Sequence, residues 1–228
     1  LADLAGGSLH SVVGILAAVN QRTQTGIGQH VDISMTDAIF GMNSMFGSNF
    51  LAGNEEPKPG TTTLNGGTFY DYYLTADGRN LSIGSLEPQF FSQLCVTLGL
   101  ESFIGLGSQQ NAESQQKFKQ LLEATIVTKS LAEWVEIFKD KDACVEPVLT
   151  LAEACESDHI QQRDLIVTVD TYSGSTQNQI GRAIKMSDSL PKYGLCGAPL
   201  GHHNQNIMEE LGMSEQEKED ANDSGMFG

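Results

Sequence analysis

Basic residues are scarce in this chain. Its 228 residues hold 13 Lys and Arg against 29 Asp and Glu, a formal net charge of −16. A surface that grips nucleic acid needs Lys and Arg to neutralise phosphates, so this balance argues against a nucleic-acid partner. No continuous run approaches the roughly 18 apolar residues of a membrane span, which argues against a membrane partner. A basic-then-apolar signal peptide is missing as well. The four cysteines, Cys95, Cys144, Cys155 and Cys196, show no CxxC spacing. They read as reduced thiols used as small buried hydrophobes. These traits together suit a cytoplasmic protein. GxGxxG, Walker and GxSxG motifs are all absent. The five histidines form no metal pattern, because His202 and His203 are adjacent and would diverge on a helix. No metal is expected.

An apolar content of 39% is adequate for a core, and the length suits one large or two small domains. The densest apolar stretch comes first. Leu4, Leu9, Val12, Val13, Ile15, Leu16 and Val19 predict a helix over 4–19 that is buried on most sides. Gly14 in its middle costs stability, so it marks close packing against a neighbour. Asp3 stands just before Gly6 and Gly7 at the start of this helix. Outward-facing amides and the helix dipole favour negative charge there, which makes Asp3 a candidate base or nucleophile beside an anion site. The plainer role is an N-cap, and the two are compatible. His10 reads as a satisfied core or interface histidine. The chain opens at Leu inside an element, which reads as an N-terminally truncated piece of something longer.

Beyond a polar turn, His30–Met35 alternates and predicts a strand, with Thr36 or Asp37 capping a helix rich in Met and Phe. Helix, strand, helix is the rhythm of an α/β domain. Residues 53–67 hold Pro and Gly with almost no apolar residue, a loop or linker. Residues 69–75 and 80–85 predict a hairpin around Ala76-Asp77-Gly78-Arg79. Glu87 follows directly, with Pro88 in an early position of the next helix. A carboxylate at that junction is a candidate functional group on a rigid scaffold; its plainer role is a helix-start acid. Helices are expected at about 112–124 and 130–139, the second capped by Ser130 with Trp134, Val135 and Phe138 on its apolar side. A short strand over 144–148, a helix over 150–162, a strand pair from 163–169 and 181–186, and two last helices follow. The acidic 209–223 segment reads as a solvated helix face and tail.

Several stretches together resemble a known family. Leu1–Phe40 holds an Asp, a glycine pair, a helix ending Gly14-Ile15-Leu16-Ala17-Ala18, and then Thr25-Gly26-Ile27-Gly28-Gln29-His30-Val31-Asp32. Further on stand Asp77-Gly78-Arg79, Glu87-Pro88-Gln89-Phe90, Cys144-Val145-Glu146-Pro147-Val148 and Ala198-Pro199-Leu200-Gly201-His202. In this order they resemble the family III CoA-transferase superfamily (CaiB/BaiF type), and Glu-Pro-Gln-Phe is most like its α-methylacyl-CoA racemase branch.

The resemblance implies an α/β fold: part of a Rossmann-like large domain, lacking its N-terminal portion, plus a small α+β domain. Residues 1–52 and 160–228 would belong to the large domain and 53–159 to the small one. It implies an acyl-CoA thioester as substrate, no further cofactor, and a homodimer interlocked in the full-length protein. The racemases interconvert 2-methylacyl-CoA epimers through an enolate, using an opposed His and Asp. Asp3 matches the catalytic Asp, Glu87 the Glu that supports the His, and Gly6 and Gly7 the glycine turn near the thioester. The family's His lies upstream of the Asp, before Leu1, and His10 is on the wrong side to replace it. A CoA-transferase working through an Asp3 acyl anhydride and a catalytically silent fragment that only dimerises or binds stay open as alternatives. Met35, Met42 and Met45 are either an adaptable apolar wall for an acyl group or ordinary core residues.

Overall fold

In the computed structural model, residues 1–53, 56–107, 111–190 and 192–225 are described. Two compact units divide the chain, Leu1–Val148 and Leu149–Gly228.

The first unit opens on one continuous apolar helix. Ala2–Leu9 has the wide π-helical winding and runs into α1, His10–Thr25. The Gly6 amide reaches back five residues to the Leu1 carbonyl at 3.3 Å, the spacing that defines the wider turn. Gly26 ends the helix with a φ of 75°. The helix was expected to be buried on most sides; instead Leu4, Leu9, Val13 and Leu16 are 73%, 62%, 66% and 62% exposed. Only Gly6 is buried in Ala2–Leu9. The expectation of no membrane-length segment also needs correction. Ala2–Thr25 is long and apolar enough to cross a bilayer by length and composition, with a mean hydropathy of 1.5 in its most apolar window. Gly6, Gly7, Ser8, His10, Ser11 and Gly14 interrupt a strictly apolar run, while the Leu, Ile, Val and Ala residues among them keep that average high.

Gly14 is a packing glycine, as expected. A Cβ there would lie 3.0 Å from Val31 Cγ1 and 3.1 Å from Ile33 Cδ1. The 30–34 segment that makes this contact is irregular and not a strand, because it finds no partner strand among the described residues. The following helix, α2 (Met35–Met42), is capped by Ser34, whose Oγ accepts from the Asp37 amide at 3.2 Å, rather than by Thr36 or Asp37. It breaks at Asn43 and resumes as α3, Ser44–Gly53. Met35, Met42 and Met45 are about half exposed, so they are not core residues. The loop expected over 53–67 is observed from residue 56; Asn54 and Glu55 lie outside the described residues.

The core sits in the middle of the chain. Strand β1 (Asp71–Leu74) pairs antiparallel with β2 (Asn80–Ile83), which pairs with a later strand, β3 (Val145–Pro147). The β1–β2 turn is the one its residues demand. Gly78 has a φ of 73°, and the Thr75 hydroxyl donates to Asp77 Oδ1 at 2.5 Å. Both Asp77 oxygens then accept from the Leu131 amide, at 3.1 and 3.3 Å. That ties the hairpin to α6, Leu131–Phe138, which the Ser130–Glu133 capping box starts as expected. Helices α4 (Pro88–Leu98), α5 (Ala112–Ile126) and α6 cover the sheet. Phe69, Phe91 and Phe118 meet with ring centres 4.7 to 5.6 Å apart, and each such pair adds about 0.5–1.5 kcal/mol beyond its buried area. Trp134 and Phe138 are buried with them, while Val135 faces out at 39% exposure.

In the second unit the expected 150–162 helix is two, α7 (Leu151–Glu156) and α8 (Asp158–Gln162), because Ser157 takes an extended conformation between them. The strand pair is β4 (Ile166–Asp170) with β5 (Thr176–Ile180), so the second strand lies before the expected 181–186. The turn at Gly174, with a φ of 78°, closes the hairpin earlier than apolar patterning indicates. Helices α9 (Asn204–Glu210) and α10 (Glu215–Asp223) end the unit, the latter started by a Ser214–Glu217 capping box. The acidic 209–223 face is mostly exposed; Lys218 is buried between Glu209 and Glu215. All four cysteines are free thiols, but only Cys95 is buried, and Cys144 is exposed.

Candidate active site

Asp3 lies in the first turn of the wide helix, with Leu1 in the capping position and no side-chain cap. Its N-cap role is therefore not realised. Its carboxylate is exposed, one residue inside a helix start whose dipole favours an anion. The backbone around it is held locally: Ser8 Oγ donates to the Asp3 carbonyl at 3.1 Å. His10 is half-buried, and its Nδ1 lies 2.6 Å from the Ala5 carbonyl. A carbonyl only accepts, so Nδ1 carries the proton of that bond. His10 is a satisfied histidine, as expected.

Gly6 and Gly7 are in the helix, not in a turn. A Cβ on Gly6 would stand 3.2 Å from Ile39 Cγ1 and 3.3 Å from the Met35 carbonyl; one on Gly7 would stand 3.3 Å from Met35 Cγ. The missing side chains let α2 approach the Asp3 turn. The glycine pair thus sets a helix–helix contact directly behind the carboxylate.

Glu87 is the N-cap residue of α4, extended at φ −70° and ψ 142°, with no side-chain cap bond. Pro88 occupies the first helical turn, where its missing N–H costs nothing. The exposed Glu87 carboxylate is therefore unused by the helix it starts. Its position is fixed from below. The Gly84 amide donates to the Cys144 carbonyl at 2.9 Å, and buried Ser85 donates to the Ala143 carbonyl.

Sequence reasoning missed Cys144 as a neighbour of this site. The residue is exposed and adopts a left-handed φ of 48°. Burial of the thiol pushes its pKa up, and the charges of Glu87, Asp142 and Glu146 push it further. Nothing local in the sequence signals this proximity, since Glu87 and Cys144 meet only through the β2–β3 pairing. Asp3, Gly6 and Gly7 share the Ala2–Leu9 helix; Glu87 stands on another element, and no hydrogen bond joins it to Asp3 among the described residues. A cleft of about 380 Å³ opens between α3 and the 56–68 loop, with Met45, Phe46 and Pro57 in its wall; Asp3 and Glu87 do not line it.

A family model, CoA-transferase family III, matches residues 1–204. The chain belongs to this family. Human alpha-methylacyl-CoA racemase is 34% identical over 218 residues, which is 95% of this chain and 56% of that protein. Formyl-CoA:oxalate CoA-transferase of Rhodopseudomonas palustris is 26% identical over 96% of this chain and 58% of its own length. A CAIB/BAIF family protein from Brucella suis superposes with a TM-score of 0.68 at 24% identity, covering 92% of this chain and 55% of that one. The chain thus has the family III fold anticipated from its motifs, and it spans about half the length of the curated relatives it matches.

Proposed function

We propose that the protein carrying this chain is a racemase of 2-methylacyl-CoA thioesters, with Asp3 as one of its two acid/base groups. The observation that carries this reading is the balance of identities: 34% with the human racemase against 26% with the oxalate CoA-transferase, each across at least 95% of this chain. Glu87-Pro88-Gln89-Phe90, with Glu87 exposed and free of a capping role, supports it.

The reaction moves one proton and leaves oxidation states unchanged. A base takes the proton from C2, and the C–H electron pair passes into the enolate, whose charge rests on the thioester oxygen. A proton then returns to C2 from the other face. Two acid/base groups must face each other across that carbon, with donors for the oxygen. Asp3 at the positive end of a helix suits one of these roles, and the wide π winding beneath it is a feature that recurs at functional sites. Glu87 supports the opposed group. Gly6 and Gly7 keep the helix behind the thioester slim. Half-exposed Met35, Met42 and Met45 offer an adaptable apolar wall for the acyl chain. The same reading carries a large domain from 1–52 and 160–228, a small one from 53–159, an interlocked homodimer, no cofactor beyond the acyl-CoA substrate, and a cytoplasmic setting.

A second reading has its own support in the transferase relatives: Asp3 attacks the thioester carbonyl, CoA leaves as the thiolate, and an aspartyl anhydride passes the acyl group on. Chiral separation after incubation with a single epimer tests the first reading, and hydroxylamine capture at Asp3 tests the second. Epimerisation lost in Asp3→Asn supports the racemase. A hydroxamate on Asp3 without epimerisation overturns it in favour of the transferase.

A further inference from the structure

The sequence places His202 and His203 side by side, and on a helix their side chains would diverge. In the structure they do not. They stand in the turn before α9, where Gly201 takes a φ of 76° and the His202 amide bonds to the Pro199 carbonyl at 3.0 Å. The Asn204 amide closes a second turn onto the Gly201 carbonyl, also at 3.0 Å. This folded-back backbone brings the two imidazoles together, with ring centres 4.9 Å apart and planes at 85°. Tyr172, at the β4–β5 turn, closes the group. Its ring centre is 4.5 Å from that of His202, and its hydroxyl lies 3.2 Å from His203 Nε2.

That spacing has a chemical meaning. Imidazoles bound cis to one late transition metal, at about 2.0–2.1 Å and at angles from square to tetrahedral, have ring centres about 4.5–5.2 Å apart. The observed 4.9 Å falls inside this window; it is also an ordinary edge-to-face contact, so the spacing permits cis ligation without itself requiring a metal. A phenol oxygen already at hydrogen-bond distance from one imidazole nitrogen is placed either to bind the same ion or to orient its ligand. Both histidines are exposed, so an ion reaches them without rearrangement of the unit, and the net charge of −16 favours a cation. No group of three His, Cys, Asp or Glu side chains able to hold a metal occurs among the described residues, so the site rests on the two imidazoles, the phenol and water.

We propose that His202, His203 and Tyr172 form a surface site for a divalent late transition-metal ion, with two imidazole ligands and water in the open positions. Nitrogen and phenol donors favour Cu²⁺ over Zn²⁺. A bound ion joins the β4–β5 turn to the entrance of α9 and stabilises this unit by mass action. The site stands apart from Asp3 and Glu87 and does not depend on the racemase reading.

The test is titration of the chain with CuCl₂ and ZnCl₂, followed by calorimetry and, for copper, by electron paramagnetic resonance. The expected result is one equivalent of Cu²⁺ with superhyperfine splitting from two imidazole nitrogens. Affinity should fall by at least about tenfold, or about 1.4 kcal/mol, in each of His202→Gln and His203→Gln. Tyr172→Phe should weaken binding or change the spectrum. The controls His10→Gln, His30→Gln and His159→Gln should bind as the parent does, and circular dichroism confirms that every variant is folded. Binding that survives the paired His202→Gln and His203→Gln change, a one-nitrogen spectrum, or no stoichiometric binding overturns the proposal.

Discussion

Ser85 Oγ donates to the carbonyl of Ala143, 58 residues further along the chain, at 2.5 Å, and both residues are fully buried. With the Gly84–Cys144 backbone bond beside it, this contact fixes the segment that leaves β2, two residues before Glu87. Ser85→Ala leaves a buried carbonyl without its donor. The expected cost is about 1–3 kcal/mol of stability, read by urea denaturation. Because the same contact anchors Glu87, that variant should also lose more activity than its stability loss explains. A variant with parental stability and activity would show that the anchor is dispensable.

The thiols should react in a fixed order. Burial and the charge of Glu101 push the Cys95 thiol up to about 11, and its side chain is fully enclosed, so it should resist maleimide until the unit unfolds. Cys144 is exposed, but its own partial burial and the charges of Glu87, Asp142 and Glu146 hold its pKa above the ordinary value. Glu87→Gln removes one of those charges. Labelling of Cys144 at pH 7.5, followed by peptide mass spectrometry, should therefore be faster in Glu87→Gln than in the parent. An unchanged rate would place Glu87 out of electrostatic reach.

Acid should loosen the β1–β2 hairpin. Burial pushes the Asp71 carboxyl up, but hydrogen bonds from Lys119 and the Tyr72 amide, with the Lys119 charge, outweigh it and hold the group below the usual range. Asp77 is lowered too, chiefly by the Thr75 hydroxyl bond. A depressed folded-state pKa stabilises fully above the unfolded value of about 3.9 and stops doing so as pH falls through the folded value. Lys119→Met should move the acid-unfolding midpoint to higher pH, followed by tryptophan fluorescence of Trp134. No movement would mean that the ion pair contributes nothing to folding.

Leu4, Leu9, Val13, Leu16, Phe40 and Leu51 are each more than 60% exposed, an apolar display that monomeric soluble proteins rarely carry. The isolated chain should self-associate, and Leu9→Lys with Leu16→Lys should reduce this. Light scattering coupled to size-exclusion chromatography reads the mass. A monodisperse monomer at tens of micromolar would contradict the expectation.

Local chemistry made much of the fold legible. The 69–83 hairpin shows in its alternation and in Asp77-Gly78, and α6 shows in Ser130 with Glu133 three residues on. What failed was whatever depends on partners. Residues 30–35 alternate as a strand should, yet a strand exists only when its N–H and C=O groups find another strand. Strand β5, Thr176–Ile180, is almost wholly polar and carries no periodic signal, so its place was invisible. Both candidate carboxylates, Asp3 and Glu87, are singled out by their positions at helix starts. The wide winding at Asp3, the packing of Gly6 on Ile39 and the approach of Cys144 to Glu87 arise from tertiary contacts that no local pattern encodes.

The central claim is that Asp3 moves the α-proton of an acyl-CoA. The most direct measurement is deuterium uptake at C2 when each epimer of a 2-methylacyl-CoA is incubated in D₂O with the protein carrying this chain, followed by mass spectrometry. The account predicts uptake from both epimers, reduced at least about a thousandfold in Asp3→Asn, the scale of a lost general acid/base. Absence of uptake from either epimer, with acyl transfer retained or not, would contradict it.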